Sequence, residues 1–445
     1  MNFSEIKKII SETAKKAKIS EYDIYYSESS EISTETLTHE ISGFSSSDSI
    51  GIGFRCIVDG KFGQASCERI TKEELEALVV KAANNAKYIE SDDEAVIFKG
   101  SEHYETVPCE QFQTPTSGAL RDVALTLEDK TYKESELVVD GTQCGTGAGS
   151  VAVHMCNSYG LELHKSAGYV YYYSCPVVSD GNETEDSVEV KNAKNFDEID
   201  SVVKKAVKTA SAKLGAESVP SGSYNVIISG KKFSDFLAEF CGCFSAKQVK
   251  LGLSKLAGQL DSKIAADIVT ITDDPFSDEL CGKNAFDGEG VATRTKNVIE
   301  NGVLKTYFYD LAMAKHFGVE PTGNASRGYS SPVSISPYFL YLNKGDKCFD
   351  ELLEMAHEGI YVTELKSFSA TNAVTGDFSI ESAGYLIENG KLGKFVKSFT
   401  IAGNFFELLK NIEALSDTLQ VEHNGLFRGF ASPDVFVKNI SVAGK

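Results

Sequence analysis

Basic charge is scarce in this 445-residue chain: 44 Lys and Arg stand against 64 Asp and Glu, a net charge of −20. That argues against nucleic acid as a primary ligand, because neutralising phosphates needs clustered Lys and Arg. It also argues against an anionic membrane surface. No apolar run approaches the roughly 20 residues of a membrane span. The segment Met1-Asn-Phe-Ser-Glu-Ile-Lys-Lys8 has charges where a signal peptide has its apolar core, so the expected location is cytoplasmic. Ten cysteines at irregular spacing are too few for a disulfide framework, and most read as buried thiols. No Gly-x-Ser-x-Gly nucleophile elbow is present. Ser-His-Asp or Cys-His partners far apart in the chain stay open.

What is present is the profile of an ordinary globular chain, 42% apolar and 24% charged, long enough for roughly two to four domains. Residues 4–17 form an amphipathic pattern with Ile6, Ile9, Ile10 and Ala14 on one face. A period of two follows in segments near 23–28, 31–38, 50–57 and 62–67, with Asp59-Gly60 as a hairpin signal. Thr71-Lys-Glu-Glu74 is a capping box before a second helix. Residues 90–117 read as a linker or crossover, and helices are expected over about 118–132 and 198–214, the latter with Gly215 just past its end. Strands are expected near 136–143, 150–156, 161–174 and 184–190. Pro220-Ser-Gly222 is the best boundary. The expected division is 1–90, an N-terminal α+β module; 91–219, a second α+β segment packed with it; and 220–445, a strand-rich C-terminal domain. Within the last, Asn301-Gly302 and Asn389-Gly390 mark two hairpins, expected as matching elements of one curved sheet. Helices fit 346–358 and 404–415. The fold class is α+β, ending in a curved sheet or partial barrel.

Several clusters carry possible chemistry. Gly230–Ala246 reads as a buried helix after a short strand, with Phe233, Phe236, Leu237 and Phe240 on one face. Cys241 and Cys243 lie on it, but residues two apart on a helix point about 200° apart, so they read as packing thiols. His357-Glu358 has Tyr361 four residues on, and Gly359 is expected to end the helix, so it is not a zincin motif. Gly145-Thr-Gly-Ala-Gly149 lacks the ending of a phosphate loop and reads as a bulged or bent strand. His154 and His164 flank Asn157-Ser-Tyr-Gly160. A four-residue loop there would set the rings on opposite faces. The acidic set Asp273, Asp274, Asp278, Glu279, Asp287 and Glu289 lacks the alternation of a calcium loop and reads as structural.

A run of short matches is more informative than any one of these. Thr272-Asp-Asp-Pro275, Phe286-Asp-Gly-Glu-Gly290, Ile299-Glu-Asn-Gly-Val303 and Thr322-Gly-Asn324 are followed by Val362-Thr-Glu364, Thr375-Gly-Asp-Phe-Ser379, Gly384-Tyr-Leu-Ile-Glu-Asn-Gly390 and Ile401-Ala-Gly-Asn404. With a looser N-terminal match at Gly51-Ile-Gly-Phe-Arg55 and Asp59-Gly-Lys61, the chain resembles the TldD/PmbA family, also labelled modulator of DNA gyrase, in its PmbA (TldE) branch. The resemblance implies a two-branch system. TldD-like members are zinc peptidases with a His-Glu-three-residues-His helix and a C-terminal cysteine as third ligand. PmbA-like members keep the fold without that site and pair with a TldD-like partner to degrade unfolded peptides. Here the frame holds Ala238, Glu239 and Cys243, or Glu239 and Phe244 with a slip of one, and no cysteine follows Cys348. The resemblance thus implies degenerate site positions Ala238, Glu239 and Cys243, no metal or cofactor on this chain, and zinc only on a TldD-like partner. Glu239 then reads as a carboxylate at a helix edge, with no zinc-bound water to activate. The partner is a TldD-like subunit or a second copy of the chain, and the substrate an unfolded peptide. The alternatives are an autonomous peptidase with a non-zinc or displaced site, and a non-enzymatic peptide-binding module.

Overall fold

The structure, a computed structural model, describes residues 1–90, 93–108, 112–423 and 426–445. Parts of the linker expected over 90–117, and Gly425 of the C-terminal segment, lie outside the described residues.

The N-terminal half is built on one long antiparallel sheet. Helix α1 (Phe3–Lys16) leads into β1 (Tyr22–Leu37), β2 (Glu40–Val58) and β3 (Lys61–Cys67), followed by α2 (Lys72–Asn85) and α3 (Ser117–Glu134). Then come β4 (Val138–Asn157), β5 (Glu162–Ser179), β6 (Thr184–Asp186), β7 (Glu189–Ala193) and α4 (Ile199–Lys213). The strand order is β3-β2-β1-β4-β5-β6, with β7 also beside β5, so residues from 1–90 and 91–219 share one sheet. Caps start the helices: Asn2 and Glu5 form a reciprocal capping box on α1, and Thr71 and Thr116 accept from backbone N–H groups of α2 and α3. One sheet face is packed by helices. Ile24, Tyr26, Ile52 and Phe54 meet Ile6 and Ile10 of α1 and Leu75, Leu78 and Val79 of α2. Farther along, Cys144 and Tyr172 meet Leu127 of α3 and Val202 and Val203 of α4.

The strands are longer than the sequence pattern predicts. The segments expected at 23–28 and 31–38 are one strand. It turns into β2 at Thr38 and His39, both with positive φ (55° and 64°). Neither is a Gly or Asn, so the turn carries no compositional signal. Likewise 136–143 and 150–156 are one strand, with its irregularity between Val139 and Gln143. The predicted bulge at Gly145–Gly149 is absent. These glycines pair in register with tyrosines, Gly145 with Tyr173, Gly147 with Tyr171 and Gly149 with Tyr169, and the rings lie over the spaces a side chain would fill.

The C-terminal half begins with β8 (Gly222–Ile228) and α5 (Gly230–Phe240), a 3₁₀ turn Cys241–Phe244 and α6 (Ala246–Lys250). It continues with β9 (Ile271–Asp273), β10 (Lys296–Glu300), β11 (Val303–Leu304), α7 (Leu311–Phe317), β12 (Ala325–Ser326), β13 (Ser334–Ile335) and β14 (Phe339–Leu342). After α8 (Phe349–Ala356) come β15 (Gly359–Leu365), β16 (Asp377–Glu388), β17 (Lys391–Asn404), α9 (Phe405–Lys410), β18 (Ile412–Leu415), β19 (Gln420–His423), β20 (Gly429–Ser432) and β21 (Val435–Ala443). One six-stranded sheet runs β11-β10-β9-β14-β20-β19 and another β17-β16-β15-β8-β21-β18. In the second, β21 also pairs with β17, which closes β17-β16-β15-β8-β21 into a barrel. A register shift in β21, with Asn439 at φ 60°, lets that strand serve both neighbours.

Three expectations are corrected here. Both Asn-Gly pairs do form hairpins, with positive φ at both residues, but one joins β10 to β11 and the other β16 to β17, in different sheets. The helix expected over 404–415 stops at Lys410. Ile412–Leu415 pairs instead with β21, a long-range partner that local periodicity does not show. The helix expected over 346–358 ends at Ala356, with His357 itself at positive φ, and Gly359 starts a strand. A Cβ at Gly359 would stand 2.2 Å from the Asn225 carbonyl oxygen, so close strand approach explains that glycine.

Candidate functional site

Helix α5 is pinned at its start and buried along its length. The Gly230 N–H donates to Asp434 Oδ1 at 3.0 Å, and a Cβ on Gly230 would meet the Ser432 carbonyl oxygen at 2.2 Å. Phe233, Phe236, Leu237 and Phe240 enter the largest core, where Phe240 stacks on Phe405 (4.6 Å between centroids) and Phe236 meets Phe378 edge-on at 5.0 Å. The α-helix ends at Phe240, and Cys241–Phe244 continue as a 3₁₀ turn.

The three positions of the degenerate frame lie in different surroundings. Ala238 packs half-buried against the core and offers no donor. Glu239 sits beside a shallow cleft lined by Asp235, Leu365 and Phe368 and accepts from the Thr371 hydroxyl at 2.5 Å. Cys243 is fully buried, and burial raises its thiol well above the ordinary range. Burial also pushes the Cys241 thiol up to about 11, and its Sγ donates to the Ala238 carbonyl at 3.2 Å. Both stay thiols at neutral pH, whereas a catalytic nucleophile is a thiolate. Zinc takes four ligands, three of them from protein in open sites. Among the described residues, no group of three or more His, Cys, Asp or Glu side chains is placed to hold a metal ion. The donors at this frame do not fit zinc.

The histidine pair on the β4–β5 hairpin needs correction. Asn157 N–H donates to the Leu161 carbonyl, and Gly160 at φ 92° closes a tighter loop than four residues. His154 therefore stands directly opposite His164, on the same face, with ring centroids 4.2 Å apart. Phe3 stacks on His154 at 4.8 Å. Burial and the neighbouring His164 lower the His154 imidazolium.

Three of the six acidic residues, Asp273, Asp287 and Glu289, hold the chain together, while Asp278 and Glu279 are exposed. Asp273, fully buried, accepts from Lys296 Nζ (3.0 Å), Asn324 Nδ2 (2.8 Å) and the Tyr338 and Phe339 N–H groups. Asp287 accepts from the N–H groups of Glu289, Val291 and Ala325. Glu289 crosses to the N-terminal sheet: its Oε1 lies 3.2 Å from Arg55 Nη1, and Arg55 also binds Asp23. Arg327 donates to the other Asp23 oxygen at 2.8 Å. Two guanidiniums and two carboxylates thus close the contact between the halves.

Beside this network is a cavity of about 180 Å³ that sequence reasoning missed. It lies between the other face of the N-terminal sheet, at Tyr25, Val153 and Lys165, and the C-terminal residues Asn284, Tyr338 and Arg428. The available signal was Lys165 itself, a cation at an inward position of an alternating strand, two residues from buried Ala167.

Two family models match the sequence. One, described as the PmbA/TldA metallopeptidase C-terminal domain, covers residues 221–444, and the other, PmbA/TldA metallopeptidase domain 1, covers 22–86. An uncharacterized protein of Methanocaldococcus jannaschii is 28% identical over 90% of this chain and 92% of its own length. A protein of Haemophilus influenzae, described as a metalloprotease PmbA homolog, is 23% identical over 88% of this chain and 86% of its own. A solved Thermotoga maritima protein, described as a candidate modulator of a DNA gyrase, superposes with a TM-score of 0.90 at 27% identity, covering 99% of this chain and 100% of that one. TldE from Thermococcus kodakarensis shares the fold, with a TM-score of 0.89 at 22% identity over 99% of this chain and 100% of that one. With half of its length under one family model and its fold reproduced end to end, the chain belongs to the PmbA/TldD family.

Proposed function

We propose that this chain is a PmbA/TldE-type subunit of a peptidase system that handles unfolded peptides, carries no zinc, and does not cleave peptides alone. The observation that carries this reading is the frame on α5 and the turn after it: the general-base position holds Glu239, while the flanking ligand positions hold Ala238 and the buried thiol of Cys243. The helix is kept by its aromatic contacts, so the scaffold role outlives the chemistry. A TldD-like partner supplies the zinc, or two copies of this chain enclose the peptide. The peptide is held through its backbone at a sheet edge, and β19, last in its sheet and packed on the start of α5, is the proposed edge. The proposed site of action is the cytoplasm; among the described residues no helix is long and apolar enough to cross a membrane. The proposed division of the chain places the peptide-handling part in 220–445.

The test is to mix the full chain with a TldD-like protein from the same source. A complex on size-exclusion chromatography and a rise in hydrolysis of an unfolded substrate are expected. No complex and no gain in activity would sink the subunit reading.

A further inference from the structure

The cavity between the N-terminal sheet and the C-terminal half holds two cations with no carboxylate partner among the described residues. Lys165 Nζ donates to Asn284 Oδ1 at 2.8 Å and otherwise faces rings: Phe427 at 4.8 Å, Phe286 at 5.1 Å and Tyr338 at 5.9 Å. Arg428 stacks over Tyr338 at 5.0 Å and spends Nη1 on Ser336 Oγ and the Pro337 carbonyl. Neither cation forms an ion pair among the described residues, whereas Arg55 and Arg327, close by, are matched to Asp23 and Glu289. Among the described residues, the one carboxyl group lining the cavity, Asp287, is occupied by three backbone N–H donors. Arg428 keeps its charge among these rings and Lys165 sheds part of its own, so both gain a counter-charge when an anion enters.

We propose that this cavity is a binding site for the carboxylate of a small organic acid or of a peptide's C-terminus, held between Lys165 and Arg428 with the rings around its apolar part. The volume, about 180 Å³, is below the roughly 300 Å³ at which pockets take whole drug-sized ligands, so an end group fits better than a large molecule. A planar carboxylate suits a guanidinium fork beside one ammonium. The site stands on its own geometry. If the ligand is a peptide end, it also deepens the peptide-handling reading.

The groups that face Lys165 set the pH behaviour. Burial, with Arg428 adding repulsion, lowers its ammonium to about 7, against the opposing pull of Asp287. Burial and the neighbouring Glu289 raise the Asp287 carboxyl to about 7, so it titrates in the same range, and Tyr25 and Tyr338, both raised by burial, and Arg327, paired to Asp23, complete the titratable surroundings. An entering carboxylate restores the proton, so binding near pH 8 takes up a proton and weakens as pH rises further.

The experiment is calorimetric titration of the full chain with N-acetyl-L-alanine, its C-terminal amide, N-acetyl-trialanine and inorganic phosphate, in buffers of different ionisation enthalpy at pH 8. Saturable binding of N-acetyl-L-alanine with proton uptake, and none of the amide, is expected. Lys165→Met removes the proton uptake and weakens binding at least about tenfold. Arg428→Gln weakens binding while leaving Lys165 in place, so it still reports if the first variant does not fold. Equal binding of acid and amide, tighter binding of phosphate than of carboxylate, or wild-type affinity in either folded variant would overturn the site. Binding of N-acetyl-L-alanine with exclusion of N-acetyl-trialanine would keep the carboxylate site as one for free acids and remove its link to peptides. That outcome is separate from failure to join a TldD-like partner.

Discussion

The ring of Tyr171 occupies the place where a side chain on Gly147 would begin: a Cβ there would stand 2.5 Å from the ring and 2.7 Å from the Ile32 carbonyl oxygen. With the flanking pairs, this makes three glycines of β4 covered by three tyrosines of β5. Gly147→Val is expected to destabilise the chain by about 1–3 kcal/mol, the usual cost of overpacking. The midpoint of urea unfolding checks it, and an unchanged midpoint would mean that the tyrosines do not need the glycine floor.

Arg55 ties β2 to both Asp23 and Glu289, and all three are buried. Arg55→Met leaves two buried carboxylates with less compensation and should cost about 3–5 kcal/mol at neutral pH. Burial raises the Asp23 carboxyl, but Arg327 and Arg55 outweigh it and hold the group below its ordinary value. A depressed carboxyl stabilises above the unfolded-state value, near 4, and that contribution is lost as pH falls through the folded value. Wild type should therefore lose stability below about pH 4 more steeply than Arg55→Met, as measured by denaturant midpoints across pH 2.5–6. Parallel curves would remove Asp23 as the cause.

Lys165 shifts stability with pH in the same direction, but in a window above neutrality. Its ammonium is lowered to about 7 in the fold, while the unfolded chain keeps it near 10.4. Between these values the unfolded state holds more protons, so this group's contribution to stability rises with pH. The stability difference between wild type and Lys165→Met should shift in favour of wild type from pH 7 to 9. A difference that does not change with pH would contradict this protonation assignment.

At the α5 frame the expected result is zinc well below one equivalent per protomer in the purified, untagged chain, measured by elemental analysis. Exposed Cys348 should react with a thiol reagent at pH 8 well before buried Cys243. Stoichiometric zinc, or fast modification of Cys243, would overturn the reading of the frame as empty of ligands.

What the sequence determines here is local. Asn2 with Glu5, and Thr71 ahead of Leu75 and Leu78, start α1 and α2 because a cap and an apolar stripe act within one or two turns. Asn301-Gly302 and Asn389-Gly390 make hairpins because those residues tolerate left-handed backbone. The frame Ala238-Glu239-Cys243 is legible as lacking histidine for the same reason: it is a matter of residue identity. The tertiary structure decides the rest. His154 meets His164 because one residue of loop length sets the register of every pair behind it. Ile412–Leu415 becomes a strand because β21 lies beside it, and the barrel closes because β21 also reaches β17. The cavity around Lys165 takes its wall from residues more than a hundred positions away, at Asn284, Tyr338 and Arg428. Their approach is paid for by burial across the whole interface, and no local pattern encodes it.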